Sequence, residues 1–292
     1  IFSPVKNLGL IIIDEEHENS YKQTEYPYYH ARRVAYVRGK LNQAPVVLGS
    51  ATPSLESYYY AQESYIKYLS LPERVNSKNL PPVETVDMSE ELQEGNTGIF
   101  SNNLKKSIDG ALSRKEQVLL FLNRRGYSSF MLCRECGHVL KCNNCDISLT
   151  YHSDKDILKC HYCDFVRKVP GRCPECNSKY IKDFGVGTQK IEEKAKKEFP
   201  EANIARMDVD TTTRKGSHRK ILKKLEAGKI DILVGTQMIA KGHDYPNISV
   251  LGVITADTIL NLPDFRSSER TFQLLTQVAG RTGRGKKNGK VI

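Results

Sequence analysis

Eight cysteines lie in one stretch, as four C-x-x-C pairs: Cys133/Cys136, Cys142/Cys145, Cys160/Cys163 and Cys173/Cys176. Two-residue spacing lets one turn aim both sulfurs at a tetrahedral Zn2+, so eight ligands make two four-cysteine sites. Disulfides would suit a secreted chain with scattered cysteines; paired clustering favours metal in a reducing cytoplasm. The pairs can be grouped in three ways. Sequential grouping leaves five residues between the first two pairs, a tight loop for two turns closing on one ion. Nested grouping leaves fourteen residues between the inner pairs, near the usual ribbon spacing. Small zinc units fold around their metal, so the expected role is structural.

A second chemistry sits near the start of the chain. "GLIIIDEEH" runs an apolar strand into Asp14, Glu15, Glu16 and His17. Adjacent carboxylates beyond a strand end suit Mg2+ and an activated water: one holds the ion, the next positions the water that attacks a γ-phosphate. The competing reading is a helix N-terminus, where acids favour the dipole. Directly behind comes "NSYKQTEYPYYHARR". Tyr21, Tyr26, Tyr28 and Tyr29 offer ring faces to unpaired bases, and Lys22, Arg32 and Arg33 can pair with phosphates. "HARRVAYVR" reads as a helix with Val34 and Val37 packed inward.

Three more segments follow strands or helices. "GSATPS" (Gly49 to Ser54) is by itself a turn. The glycines of "VGTQMIAKGHDYP" (Val234 to Pro246) allow close backbone approach to a phosphate or ribose. The arginines of "QVAGRTGRG" (Gln277 to Gly285) can neutralise charge on a transferring phosphoryl group. No G-x-x-x-x-G-K-[ST] loop occurs in the chain, so a phosphate cradle serving Asp14 is expected upstream of Ile1. An opening at Ile1 rather than Met, and a strand-like close on "GKVI", read as a segment of a longer protein.

The elements that must position these residues alternate. "LGLIII" (8–13) reads as a fully buried strand and "APVVLGS" (44–50) as a second. Residues 71–97 carry Pro72, Pro81 and Pro82 and no period, which marks a linker. Then come a helix capped by Ser101 with a Leu104, Ile108, Leu112 stripe, the strand "QVLLFL" and the cysteine block. Helix and strand patterns resume at "TQKIEEKAKKEF" and run to the last helix, "SSERTFQLLTQVAG", with Gly228 stopping the one before "IDILVGT". Alternating β and α segments predict an α/β fold, a parallel sheet covered on both faces, interrupted by the cysteine insertion. No internal repeat is evident. The formal charge is +10; eight thiolates (−8) and two Zn2+ (+4) would bring it to +6, still suited to a polyanion. No apolar run approaches the ~20 residues of a membrane span.

Together "DEEH", "GSATP", "GTQMIAKGHD" and "QVAGRTGRG" resemble motifs II, III, V and VI of superfamily 2 helicases. "LLFLNRRGY" followed by four C-x-x-C pairs resembles the primosomal, replication-restart helicases of bacteria, across essentially the whole chain. That resemblance implies RecA-like lobes that clamp ATP and move 3′ to 5′ on DNA. Residues 1–72 would be the later part of lobe 1, 73–97 a linker, 98–126 the start of lobe 2, 127–182 the zinc insertion and 183–292 the rest of lobe 2. It implies Asp14 and Glu15 for Mg2+ and hydrolysis. His17, Ser50, Ala51 and Thr52 would couple nucleotide state to DNA. Gly242 and Asp244 would reach the nucleotide, Thr236 the DNA, and Gln277, Arg281 and Arg284 would complete the ATP site. The family nests its zinc ligands: Cys133, Cys136, Cys173 and Cys176 on one ion, Cys142, Cys145, Cys160 and Cys163 on the other. Implied partners are single-stranded and forked DNA, primosome proteins and single-stranded DNA-binding protein, with no membrane, for a monomer of the bacterial cytoplasm associated with the nucleoid. Without the phosphate loop, the chain alone is expected to hydrolyse no ATP.

Overall fold

The apolar run before the acids forms β1 (Ile11–Ile13). It is followed by β2 (Lys22–Gln23), β3 (Tyr29–His30), α1 (Ala31–Asn42), β4 (Val46–Leu48) and α2 (Leu55–Gln62). These come from a computed structural model that describes every residue except 74–79, 123–128, 184–186, 209, 213–215, 241–244, 246, 263 and 284–288, and only the backbone of Ser129, Gln237, Ala240, Thr258 and Ile259. The chain divides into two units, Ile1–Arg74 and Val75–Ile292.

In the first unit β1 lies parallel to β4, with Ile12 opposite Val47. Ile11 and Ile13 are buried against Ala35, while Ile12 points to the other face and is 65% exposed. The strand expected to be buried throughout is therefore buried on one face, because a single helix, α1, packs on this two-stranded sheet. That helix turns Ala35 and Gly39 inward, and Val37 is exposed. The reason is proximity: a Cβ on Gly39 would lie 2.6 Å from Val46 Cγ2 and 2.7 Å from the Ala44 carbonyl oxygen, so only the smallest side chains fit. Between β1 and α1, β2 and β3 pair antiparallel, with Lys22 opposite His30, and fold the tyrosine-rich stretch into a small hairpin.

The second unit opens with α3 (Met88–Gln93), α4 (Asn102–Ser113) and β5 (Gln117–Leu122). Ser101 caps α4 as its spacing predicts, its Oγ accepting the Leu104 N–H at 3.1 Å. The cysteine block follows as β6 (Ser129–Cys133), β7 (Thr150–His152), β8 (Ile157–Lys159), β9 (Val166–Lys168) and β10 (Ile181–Asp183), an antiparallel sheet in the order β10-β6-β7-β8-β9. Arg134 ties this module to the start of the unit, donating to the carbonyls of Thr97 at 2.8 Å and Gly98 at 3.1 Å. The alternation then resumes: α5 (Thr188–Glu198), β11 (Ile204–Met207), α6 (Ser217–Glu226), β12 (Ile232–Gly235), α7 (Gln237–Ala240), β13 (Ile248–Ile254), α8 (Asp257–Leu260), α9 (Ser267–Ala279) and β14 (Lys290–Val291).

Strands β11-β12-β5-β13-β14 form one all-parallel sheet. β5 is buried along its whole length because both faces are covered. Leu104 and Ile108 of α4 and Ile191 and Ala195 of α5 fill one face; Leu222 and Leu225 of α6 and Leu274 and Val278 of α9 fill the other. Gly228 ends α6 at φ 68°, and the Lys229 N–H returns to the Lys224 carbonyl. This is the parallel sheet covered on both faces, with the cysteine module inserted after β5, that the alternating pattern predicts. In such a sheet every strand ends on the same edge, where ligands sit. Among the described residues no helix is long and apolar enough to cross a membrane.

Candidate functional site

The eight sulfurs gather in the nested arrangement. Sγ atoms of Cys133, Cys136, Cys173 and Cys176 form one group, those of Cys142, Cys145, Cys160 and Cys163 the other, each within 4.8 Å. Cys133 and Cys176 are 3.6 Å apart, Cys136 and Cys173 3.7 Å, and Cys142 and Cys163 3.5 Å. Zn–S bonds of about 2.3 Å in a tetrahedron put sulfurs about 3.8 Å apart, whereas a disulfide holds them at about 2.05 Å. All eight are free thiols, so both groups are consistent with zinc sites. Within the inner group the Phe165 backbone amide pulls the Cys163 thiol down to about 7, and the Cys163 sulfur pushes Cys145 up to about 12. Four adjacent thiolates repel; a divalent cation between them removes that conflict.

The four turns that present these sulfurs are copies of one another, a repeat the sequence reading missed. The first cysteine of each pair donates its N–H to the carbonyl five residues on: Cys133 to His138, Cys142 to Ile147, Cys160 to Phe165 and Cys173 to Ser178, at 2.8–2.9 Å. The residue after each second cysteine is left-handed: Gly137 (φ 73°), Asp146 (52°), Asp164 (57°) and Asn177 (60°). Gly, Asp and Asn are the types that tolerate that conformation. The signal was legible as C-x-x-C-[GDN].

In the first unit the acids and the "GSATP" turn are laced together. Gly49 N–H donates to the Ile13 carbonyl at 2.8 Å, and Glu16 N–H to the Gly49 carbonyl at 3.0 Å. Asp14 Oδ1 accepts the Glu15 N–H at 2.9 Å, and Glu15 sits at φ 47°, an uncommon conformation for a residue with a side chain. His17 Nδ1 lies 2.6 Å from Ser50 Oγ and 3.6 Å from Glu15 Oε2; Ser50 Oγ also accepts the Thr52 N–H. Thr52 is buried, with no hydrogen bond to its hydroxyl, and Ala51 is exposed.

Glu16 carried no role in the sequence reading, yet it is the centre of the unit's polar network. It is 1% exposed and accepts the Ser54 N–H at 2.6 Å and the Ser57 hydroxyl at 3.0 Å. Arg32 forms an ion pair with it and donates to Ser54 and Ser57. The Arg32 guanidinium is thereby taken up inside the protein, unlike Lys22 and Arg33, which are exposed. The tyrosines divide too. Tyr21 packs on the core and donates to the Asp14 carbonyl at 2.7 Å, and Tyr29 meets Phe2 edge-on at 5.1 Å. Tyr26 and Tyr28, at the hairpin tip, are 87% and 74% exposed and 6.5 Å apart.

In the second unit Thr236 follows β12, its carbonyl accepting the Ile239 N–H that starts α7. Ile239 and Tyr245 share the buried cluster with Leu274 and Val278 of α9, so the segments that hold these residues pack on one core. Gln277 is half-buried near the end of α9 and Arg281 half-buried just beyond it. Burial pushes the Tyr245 hydroxyl up to about 12, with the Arg281 charge pulling the other way. Gly242, Asp244 and Arg284 lie outside the described residues. Gly235 has a packing reason for being glycine: a Cβ there would sit 1.9 Å from Ile239 Cδ1 and 2.7 Å from the Met207 carbonyl oxygen. Gly235→Ala is expected to cost about 1–3 kcal/mol as an overpacked core position, measured by urea unfolding.

Two family descriptions match the chain: "PriA DNA helicase Cys-rich region (CRR) domain" over residues 142–168, and "Helicase conserved C-terminal domain" over 176–286. The replication restart protein PriA of Bacillus subtilis is 57% identical over 292 residues, and that of Synechocystis 52% over 301. Both alignments cover 100% of this chain and 36% of the relative, so the chain spans about a third of their length. Among solved structures, S. cerevisiae Dbp5 bound to RNA and ADP BeF3 superposes with a TM-score of 0.47 at 13% identity, covering 99% of this chain and 54% of that one, a likeness too loose to add to the strand order above. With a PriA-type cysteine region, a helicase C-terminal domain and more than half its residues shared with PriA along its whole length, the chain belongs to the family of the replication restart protein PriA.

Proposed function

We propose that this chain is the part of an ATP-dependent 3′–5′ DNA helicase that holds the later portion of lobe 1, the zinc insertion and most of lobe 2. The enzyme remodels stalled or abandoned replication forks and starts primosome assembly. Residues 1–72 belong to lobe 1, 73–97 link the lobes, 98–126 and 183–292 are lobe 2, and 127–182 are the insertion. The observation that carries the reading is the lacing of "DEEH" to "GSATP" through Gly49 and through His17 and Ser50, which makes the strand-end acids and the turn one mechanical unit.

In this reading Asp14 holds Mg2+ and Glu15 orients the attacking water on ATP. His17, Ser50, Ala51 and Thr52 transmit the nucleotide state. Tyr26 and Tyr28 stack on unpaired bases, Lys22, Arg33 and Thr236 meet the backbone of the strand, and Tyr21, Tyr29 and Arg32 hold the hairpin in place. The Tyr21 hydroxyl on the Asp14 carbonyl gives the hairpin a direct line to the acids. Gly242, Asp244, Gln277, Arg281 and Arg284 serve the nucleotide from lobe 2, the arginines neutralising the transferring phosphoryl group. The zinc module meets primosome proteins and single-stranded DNA-binding protein, and the enzyme works as a monomer in the cytoplasm, near the nucleoid.

In the longer PriA-family protein, Glu15→Gln is expected to lower DNA-stimulated ATP turnover by about 10²–10⁴-fold, the range for a lost proton-handling group, with DNA affinity kept. The 292-residue chain alone is expected to turn over no ATP. Normal turnover in the Gln variant removes Glu15 from its role.

A further inference from the structure

Asn261, Leu262 and residues 264–266 lie between α8 and α9, in the connection from β13 to β14 that begins at the carboxyl edge of the parallel sheet. The Asp264 carboxylate accepts the Arg266 N–H at 2.9 Å and pairs with Arg270. Ser267 is buried; its N–H donates to the Asp264 carbonyl at 2.9 Å, and its hydroxyl donates to the same carbonyl at 2.6 Å and to that of Leu262 at 3.0 Å. This bracing holds up Phe265, which is 92% exposed, more than any other aromatic ring among the described residues. The Arg266 guanidinium stands 5.2 Å from its ring centroid. A phenyl ring left in water forgoes its burial energy; this one is held out by a hydrogen-bonded loop, which leaves its face open to a flat ligand.

The position narrows the ligand. β12 and β13 are parallel and flank β5, so the connection from β13 through α8 to α9 leaves the sheet on the same edge as Thr236 after β12. A single flat ring on a polar loop offers a π-face; the guanidinium beside it is already 3.8 Å from the Glu269 carboxylate, so its charge is shared with that acid. A nucleobase presents the flat partner that the ring lacks. We propose that Phe265 is a stacking contact for an unpaired nucleobase on lobe 2, separate from the tyrosine hairpin of the first unit. The assignment rests on the DNA-binding reading above.

The test is fluorescence anisotropy on the 292-residue chain with two single strands of equal length, oligo(dT) and its fully abasic counterpart. The wild type is expected to prefer the strand with bases. Phe265→Ala should cut that preference about 5- to 100-fold, the stacking of one base, leave affinity for the abasic strand and the melting temperature unchanged, and be rescued by Phe265→Trp. A wild-type preference retained in Phe265→Ala, or no wild-type preference for bases at all, overturns this contact and leaves DNA binding standing. Failure of the wild type to bind either strand overturns the DNA-binding reading and this contact with it.

Discussion

Removing metal from this protein is expected to unfold the five strands between Ser129 and Asp183 while the parallel sheet survives. Among the described residues the module's apolar cluster holds six buried side chains, Met131, Leu140, Cys142, Leu149, Leu158 and Cys160, and two of these are themselves ligands. So small an apolar core cannot offset the entropy of ordering the strands around it. Structural zinc contributes about 10–16 kcal/mol in finger peptides, as much as the whole stability of an ordinary domain, about 5–15 kcal/mol. The parallel sheet draws on two large clusters that include no ligand. Hydrogen exchange after chelation should show protection lost from β6 to β10 and kept in β5, β12 and β13. Metal analysis should return two zinc per chain, and one for Cys160→Ser, since Cys160 is fully buried in the inner group. A module that stays protected without metal would mean that its hydrogen bonds and its few apolar contacts suffice.

Glu16→Ala is expected to destabilise the first unit by about 3–5 kcal/mol, the cost of removing one partner from a buried ion pair. The change leaves Arg32 inside the protein without its carboxylate, and the buried Ser54 amide without its acceptor. The unit has little else to rely on: among the described residues its buried apolar side chains are Ile11, Ile13, Ala35 and Ala44. Glu16 thus joins the end of β1, the start of α2 and the start of α1 in one network. Glu16→Gln keeps an oxygen for the Ser54 amide and loses the charge, so its cost should fall between wild type and Ala. Urea unfolding followed by tyrosine fluorescence reads the difference. A loss below about 1 kcal/mol in Glu16→Ala, the size of an ordinary surface ion pair, would show that the network adds nothing to the fold.

These two sites differ in how far the residues alone disclosed them. C-x-x-C spacing fixes its own geometry, because both ligands share one turn, and the loop of fourteen residues made nesting the comfortable choice. The parallel sheet was legible for a similar reason: a strand such as "QVLLFL" is apolar throughout only if both faces are covered. Arg32 was not. Next to Tyr29 and Arg33 it looks like another phosphate contact, and the carboxylate that takes it up lies sixteen residues away. Tyr21 misleads likewise, since sequence distinguishes a ring that faces solvent from one that packs on the cluster of Ile11, Ile13 and Ala35 only through the fold. Gly235 reads as permission for a ligand to approach, whereas the close neighbours are Ile239 and the Met207 carbonyl of the same lobe.

Nesting also favours one order of metal-site assembly over the other. The outer ligands bracket thirty-six residues between Cys136 and Cys173, and the inner four all lie within that span. Closing a chain costs about 0.6 kcal/mol more for each doubling of its length, so the shorter ring has the entropic advantage. Once it shuts, the intervening chain is pinched off and the ends of the insertion are drawn toward each other. The inner ion is therefore expected to bind first and prepare the outer site, so that the module closes from its middle outward.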